Sequence, residues 1–198
     1  MQEENITGQQ SLELIQSMIN KARNQFSENG HLYLVWGWVV LICSVGQFIL
    51  LHFFTYPNHY LVWMLTWLVV VYQFVYLFKN RKKEKVKTYT GDIVSYVWIV
   101  FVILMFMTGF LMARSNLGNT NELVNPLILS LYGMPTFLSG KILRFKPLIL
   151  GGISCWILSI VSTFIPYDFQ LLFFGIAVII AWIVPGYLLR KRYLTENL

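Results

Sequence analysis

The sequence predicts an all-α membrane protein, a polytopic bundle of six transmembrane helices arranged as three hairpins, with an amphipathic helix at the cytoplasmic N-terminus. Three observations predict it. Hydrophobic residues make up 57% of the 198-residue chain and charged residues only 12%, whereas a soluble domain carries about a quarter charged residues. Six stretches, 32–54, 60–78, 93–113, 123–140, 148–165 and 169–189, contain no Asp, Glu, Lys or Arg. When those stretches are threaded as crossings, 14 of the 15 basic residues fall on one side. Composition removes the other classes. A 17% aromatic content excludes disorder, two cysteines exclude a disulfide scaffold, and continuous rather than alternating apolarity excludes a spanning β-barrel.

Residues 1–30 form the first unit. Thr7 and Gln10 have capping-box spacing. At 100° per residue, Leu12, Ile15, Ile19 and Phe26 share one stripe, with Glu13, Gln16, Asn20 and Arg23 opposite. Gly30 follows as a stop in the left-handed conformation. The apolar stripe is the expected contact face for a cytoplasmic protein partner. The lipid headgroup layer and the underside of the bundle compete for the same face.

Residues 31–190 are the membrane domain. Each span approaches the roughly 20 residues that cross a bilayer core of ~30 Å. Short connections at 55–59, 114–122 and 166–168 make consecutive spans antiparallel neighbours, giving hairpins 32–78, 93–140 and 148–189. The fourth span is the least apolar, with Pro126, Ser130, Gly133, Pro135, Thr136 and Ser139. Were it not to cross, the basic residues after 140 would move to the opposite side, against the positive-inside rule. The run Lys79, Arg81, Lys82, Lys83, Lys85 and Lys87 sets topology. With the short basic tail 191–198, it places both termini in the cytoplasm.

Within the bundle, Gly151, Cys155, Ser159 and Thr163 (or Ser162) give the fifth span one face of small side chains, and Ala177 with Ala181 gives the sixth a lesser one. Close approach of such faces holds helices together in lipid, where apolar burial supplies no net pull. Both read as internal seams, with self-association into a homo-oligomer as the alternative. Gln47 and Thr66 fall at one depth and are expected to hydrogen-bond, while Gln73 lies nearer the opposite end. All three are expected to face inward, because an unpaired amide is costly in lipid.

Recognisable chemistry is missing. Phe137-Leu-Ser-Gly140 superficially resembles the Ser-Gly of rhomboid-type intramembrane proteases, but those need a histidine on a later helix, and His31, His52 and His59 all precede residue 60. Cys43 and Cys155 are lone packing residues. His52, His59, Glu122 and Asp168 gather near the outer face without ligand spacing. We expect no catalytic set, no metal and no cofactor. The positive charge is explained by the membrane side, without nucleic acid as a partner.

The stretches Gly133–Ile153, Ile183–Leu189 and Leu14–Asn20 resemble a group of small bacterial six-span membrane proteins. The resemblance covers nearly the whole chain. It implies a bacterial inner-membrane (cytoplasmic membrane) setting and carries no activity. The expected function is therefore that of a non-enzymatic membrane protein, regulatory or assembling, acting through its N-terminal helix. The alternative is a solute-binding or transport component, similar in size and span count to the substrate-capturing subunits of energy-coupling vitamin transporters. Gln47, Gln73, Asn125 and the carbonyls near Pro135 would then form the binding site.

Overall fold

A computed structural model describes Leu12 and residues 30–81, 89–114 and 120–196. The chain runs through α1 (His31–His52), a 3-10 segment (His59–Met64) leading into α2 (Leu65–Arg81), α3 (Tyr89–Arg114), α4 (Thr120–Ile142), α5 (Lys146–Ser162) and α6 (Tyr167–Val178). A π-helical turn (Ile179–Ile183) then joins α6 to α7 (Val184–Glu196). Among the described residues every regular element is helical. Four segments are long and apolar enough to cross a membrane: His31–His52, His59–Lys79, Thr90–Arg114 and Tyr167–Thr195. The other two helices fall short for different reasons. The 17 residues of α5 reach about 26 Å at 1.5 Å per residue. The 23 residues of α4 are long enough but include Glu122, Asn125, Pro126 and Pro135.

Three of the differences between element ends and the sequence pattern bear on the fold. The first apolar run stops being helical at His52, and the chain turns through Thr55 at φ 45°. The second begins as a 3-10 segment. The last continues as helix to Glu196, so Lys191 and Arg192 lie on α7 with Arg190 instead of in a separate tail. The π turn explains that continuity. Pro185 has no N–H to give, and the Val184 N–H bonds Ile179 O, five residues back, which widens the helix by one residue instead of breaking it.

Cross-helix contacts pair the helices antiparallel. Trp36 meets Gln73 while Gln47 meets Trp63, pairing α1 with α2. Trp156 meets Ser130 while Ser159 meets Pro126, pairing α5 with α4. In α3, Phe101 packs on Tyr132 of α4. The buried layer comprises α1, α4, α5 and the continuous α6–α7 rod, whereas α2 and α3 turn Leu68, Val71, Phe74, Phe106 and Phe110 outward. An outward apolar face is the arrangement a lipid solvent permits.

Glycines set the spacing of that layer. A Cβ on Gly152 would lie 2.6 Å from Phe137 Cβ and 2.7 Å from its backbone N, and one on Gly140 would lie 2.6 Å from Ile149 N. A Cβ on Gly151 would lie 2.7 Å from Ala181 Cα. The two small-residue faces predicted for the fifth and sixth spans therefore meet each other. Cys155 and Ser159 are buried on that helix, and Thr163 is exposed, with Ser162 buried in its place. Gly30 enters α1 at φ 67° in the left-handed region, where any side chain would also strike Gly186 O.

Gly152→Leu should lower thermal stability by about 1–3 kcal/mol, the usual cost of overpacking. Gly109→Ala, with nothing within 4 Å of the added carbon, should raise it by roughly 0.5–1 kcal/mol through its gain in helix propensity. Thermal unfolding of both variants in detergent checks the contrast.

Candidate functional site: a polar node above an aromatic core

The end of the bundle that carries the 53–58 and 163–166 connections holds most of its buried polar side chains. Gln47, 3% exposed, is the centre. Its Oε1 accepts from Trp63 Nε1 at 2.6 Å, and its Nε2 donates to His59 Nδ1 at 2.9 Å and to the Tyr167 hydroxyl at 3.3 Å. One amide thus ties α1 to the 3-10 segment and to α6. Thr66 does not join it. Its hydroxyl donates to Trp63 O at 2.6 Å, inside its own chain turn, because the 3-10 stretch rotates Trp63, and not Thr66, toward Gln47.

Close by, Ser44 donates to Leu171 O, and His52 Nδ1 lies 2.8 Å from Asp168 Oδ2. Phe48 stacks on the His52 ring at 5.2 Å and Phe169 meets its edge at 5.4 Å. Of the four outer-face groups with ligand chemistry, the structure joins His52 to Asp168 and sends His59 to Gln47. Among the described residues no three His, Cys, Asp or Glu converge.

Gln170 is the residue that sequence reasoning missed. It is 1% exposed, and its Nε2 donates to Glu122 O and Ile165 O, both at 3.0 Å. The first bond has a local cause. Pro126 lacks the N–H that would have bonded Glu122 O four residues back, and Gln170 supplies the missing donor from another helix. The proline was visible in the sequence, but the pairing of α4 with α6 was not. Gln170 Oε1, Asn125 Nδ2 and Ser139 Oγ are buried without partners among the described residues.

Beneath the polar node the core is aromatic. Trp182 stacks on Tyr132 at 4.6 Å, and Trp98 reaches Trp182 edge-on at 5.8 Å. Phe101 and Phe174 meet Tyr132 at 5.2 and 5.3 Å, and Trp63 caps Phe174 at 5.9 Å. Trp182 Nε1 donates to Thr136 Oγ1 at 3.0 Å, and that hydroxyl donates to Tyr132 O at 2.8 Å. The Trp182 N–H thus has an acceptor, as a buried Trp requires.

Two of the residues proposed for a solute site, Gln47 and Gln73, lie toward opposite ends of the α1–α2 pair. Gln73 accepts from Trp36 at 2.7 Å, and Trp36 and Gln47 are eleven residues apart on α1, about 16 Å of helix. Pro135 is buried in the α4–α5 layer. Two open grooves, of about 340 and 270 Å³, lie at the opposite, basic end, and neither is lined by Gln47, Gln73, Asn125 or Pro135. Of the proposed partner face, Leu12 is helical and exposed, while Ile15, Ile19 and Phe26 lie outside the described residues. Of the basic run, Lys79 is exposed near the end of α2, Arg81 closes that helix, and Lys82, Lys83, Lys85 and Lys87 lie outside the described residues. No protein-family model, curated protein or solved structure matches this chain.

Gln47→Leu should destabilise the protein by about 1–2 kcal/mol, since it leaves the Trp63 N–H and the Tyr167 hydroxyl without their partner. Gln73→Leu, on a half-buried side chain, should cost about half of that. Thermal unfolding followed by tryptophan fluorescence separates the two.

Proposed function

We propose that this chain is a non-enzymatic, six-span inner-membrane protein that regulates or assembles a partner through its cytoplasmic N-terminal segment. The observation that carries this reading is the structural use of three central polar side chains. The amides of Gln47 and Gln73 and the ring of Trp182 are taken up by one another's neighbours, and aromatic rings fill the space between the helices. A bundle organised in this way is a platform. The amphipathic stripe at Leu12, Ile15, Ile19 and Phe26 is the part of the sequence that the platform would present.

Six crossings with both ends in the cytoplasm are supported by charge. Lys79, Lys141, Arg144, Lys146 and Arg190–Arg192 sit at the α1 N-terminal end of the described bundle, with Arg114 at the other. The bacterial inner membrane follows from the family resemblance of Gly133–Ile153 and Ile183–Leu189.

A second reading, solute binding, is favoured by one observation. Gln170 donates to Glu122 O, one turn from Asn125, and each of the two amides keeps a buried atom unpartnered. The site for a small neutral polar solute would then be Asn125 and Gln170, with Gln47 and Gln73 as structural supports.

Photocrosslinkers at positions 12, 15, 19 and 26, activated in cells and followed by mass spectrometry, should capture one protein repeatedly, and removal of residues 1–28 should abolish that capture. Crosslinks to lipid alone would overturn the partner reading. A small molecule retained by the wild type and lost in Asn125→Leu would favour the second. Reporter fusions after residues 87 and 146 should both report the cytoplasm.

A further inference from the structure

We infer that the basic end of the bundle carries a binding site for the headgroup of an anionic phospholipid, formed by the α4–α5 turn and α7. The groove of about 340 Å³ is lined by apolar Phe145, Pro147 and Leu188 together with Lys191, Arg192 and Thr195. It combines the two surfaces a phospholipid presents together, a phosphate and the start of its acyl chains. A soluble anion would use only the charged residues, and a neutral lipid only the apolar ones.

Charge complementarity is one-sided here. Lys141, Arg144 and Lys146 flank the turn, and Arg190, Lys191 and Arg192 line the adjoining stretch of α7. Against them Asp92 stands in the first turn of α3 at the same end. Cations at a membrane surface attract anionic lipid even when scattered. A groove that holds them beside apolar walls turns that attraction into a site.

The turn adds a second, independent observation. Phe145 N bonds Gly140 O at 2.8 Å and Arg144 N bonds Lys141 O at 3.2 Å. This pair of bonds closes α4 in the manner that ordinarily places glycine in the left-handed position. The residue there is Arg144, at φ 50°. An L side chain in that conformation is strained, and glycine would relieve it. Arg144 is not itself among the groove's lining residues, but it directly precedes Phe145, which is, so a guanidinium stands beside the groove at a position that glycine would fill with less strain. This inference takes the membrane setting as given and is independent of the N-terminal segment.

The test uses the full-length protein, delipidated in detergent and titrated with phosphatidylglycerol, phosphatidylcholine of the same chains, or inorganic phosphate. Thermal unfolding and native mass spectrometry supply the readouts. Phosphatidylglycerol should raise the melting temperature and remain bound, and the other two should not. Lys191→Gln with Arg192→Gln should weaken its apparent affinity about tenfold. Arg144→Gly should raise the melting temperature of the lipid-free protein by about 2–4 °C and still weaken phosphatidylglycerol binding, a combination that misfolding cannot produce. Lys79→Gln, at the same end but outside the groove, should leave the affinity unchanged. Equal response to phosphatidylcholine or to inorganic phosphate, wild-type affinity in the groove variants, or equal weakening by Lys79→Gln would each overturn the site.

Discussion

Helices in lipid gain nothing by hiding apolar side chains from one another, so cohesion depends on how closely their backbones approach. In this protein that approach is made at glycines. Gly133, Gly140 and Gly152 admit Trp156, Ile149 and Phe137 at distances that leave no room for a Cβ, and Gly151 lies against Ala181. The α4–α5 layer and the α5–π contact are consequences. With those seams closed, α4 can keep two prolines and a run of polar residues that would be unwelcome facing lipid, because α5 and α6 cover them.

Polar satisfaction follows from the same closeness. Pro126 leaves a carbonyl on α4 without its helical donor, and Gln170 reaches it from α6 only because the helices are in contact. Ser159 donates to Pro126 O at 2.7 Å across the same seam. Gln47 joins three elements through one side chain. These bonds place the buried amides in structural service, and the three histidines are engaged by Tyr72, Asp168 and Gln47. Ser139, the one residue with a protease-like neighbour, has no partner for its hydroxyl among the described residues.

The two ends of the bundle differ in kind. At one, neutral amides, an imidazole–carboxylate pair and aromatic rings close the surface with short-range contacts. At the other, the helices end in cations beside open grooves, and the chain tolerates a left-handed arginine. The first end is held mostly by contacts among its own side chains, whereas the second gathers positive charge at its surface. That asymmetry orders the proposals made here, with recognition at the basic end and closure at the other.

Much of the architecture was legible from the sequence because bilayer energetics act on single segments. Runs without charge must be helical, since the backbone has no other donor in lipid, and the gathering of lysine and arginine on one side follows from the cost of moving them across. The small-residue faces at Gly151 and Ala181 were visible for the same reason, as periodicity within one helix. Which helix meets which was not legible, because it depends on side-chain shape across residues far apart in the chain. That decided Trp63 over Thr66 as the partner of Gln47, the reach of Gln170 to Glu122, Ser162 over Thr163, the Trp98–Trp182–Tyr132 stack, and the π turn that lets α7 carry its arginines on as helix. Periodicity in one segment reports a face, and only three-dimensional packing says what lies against it.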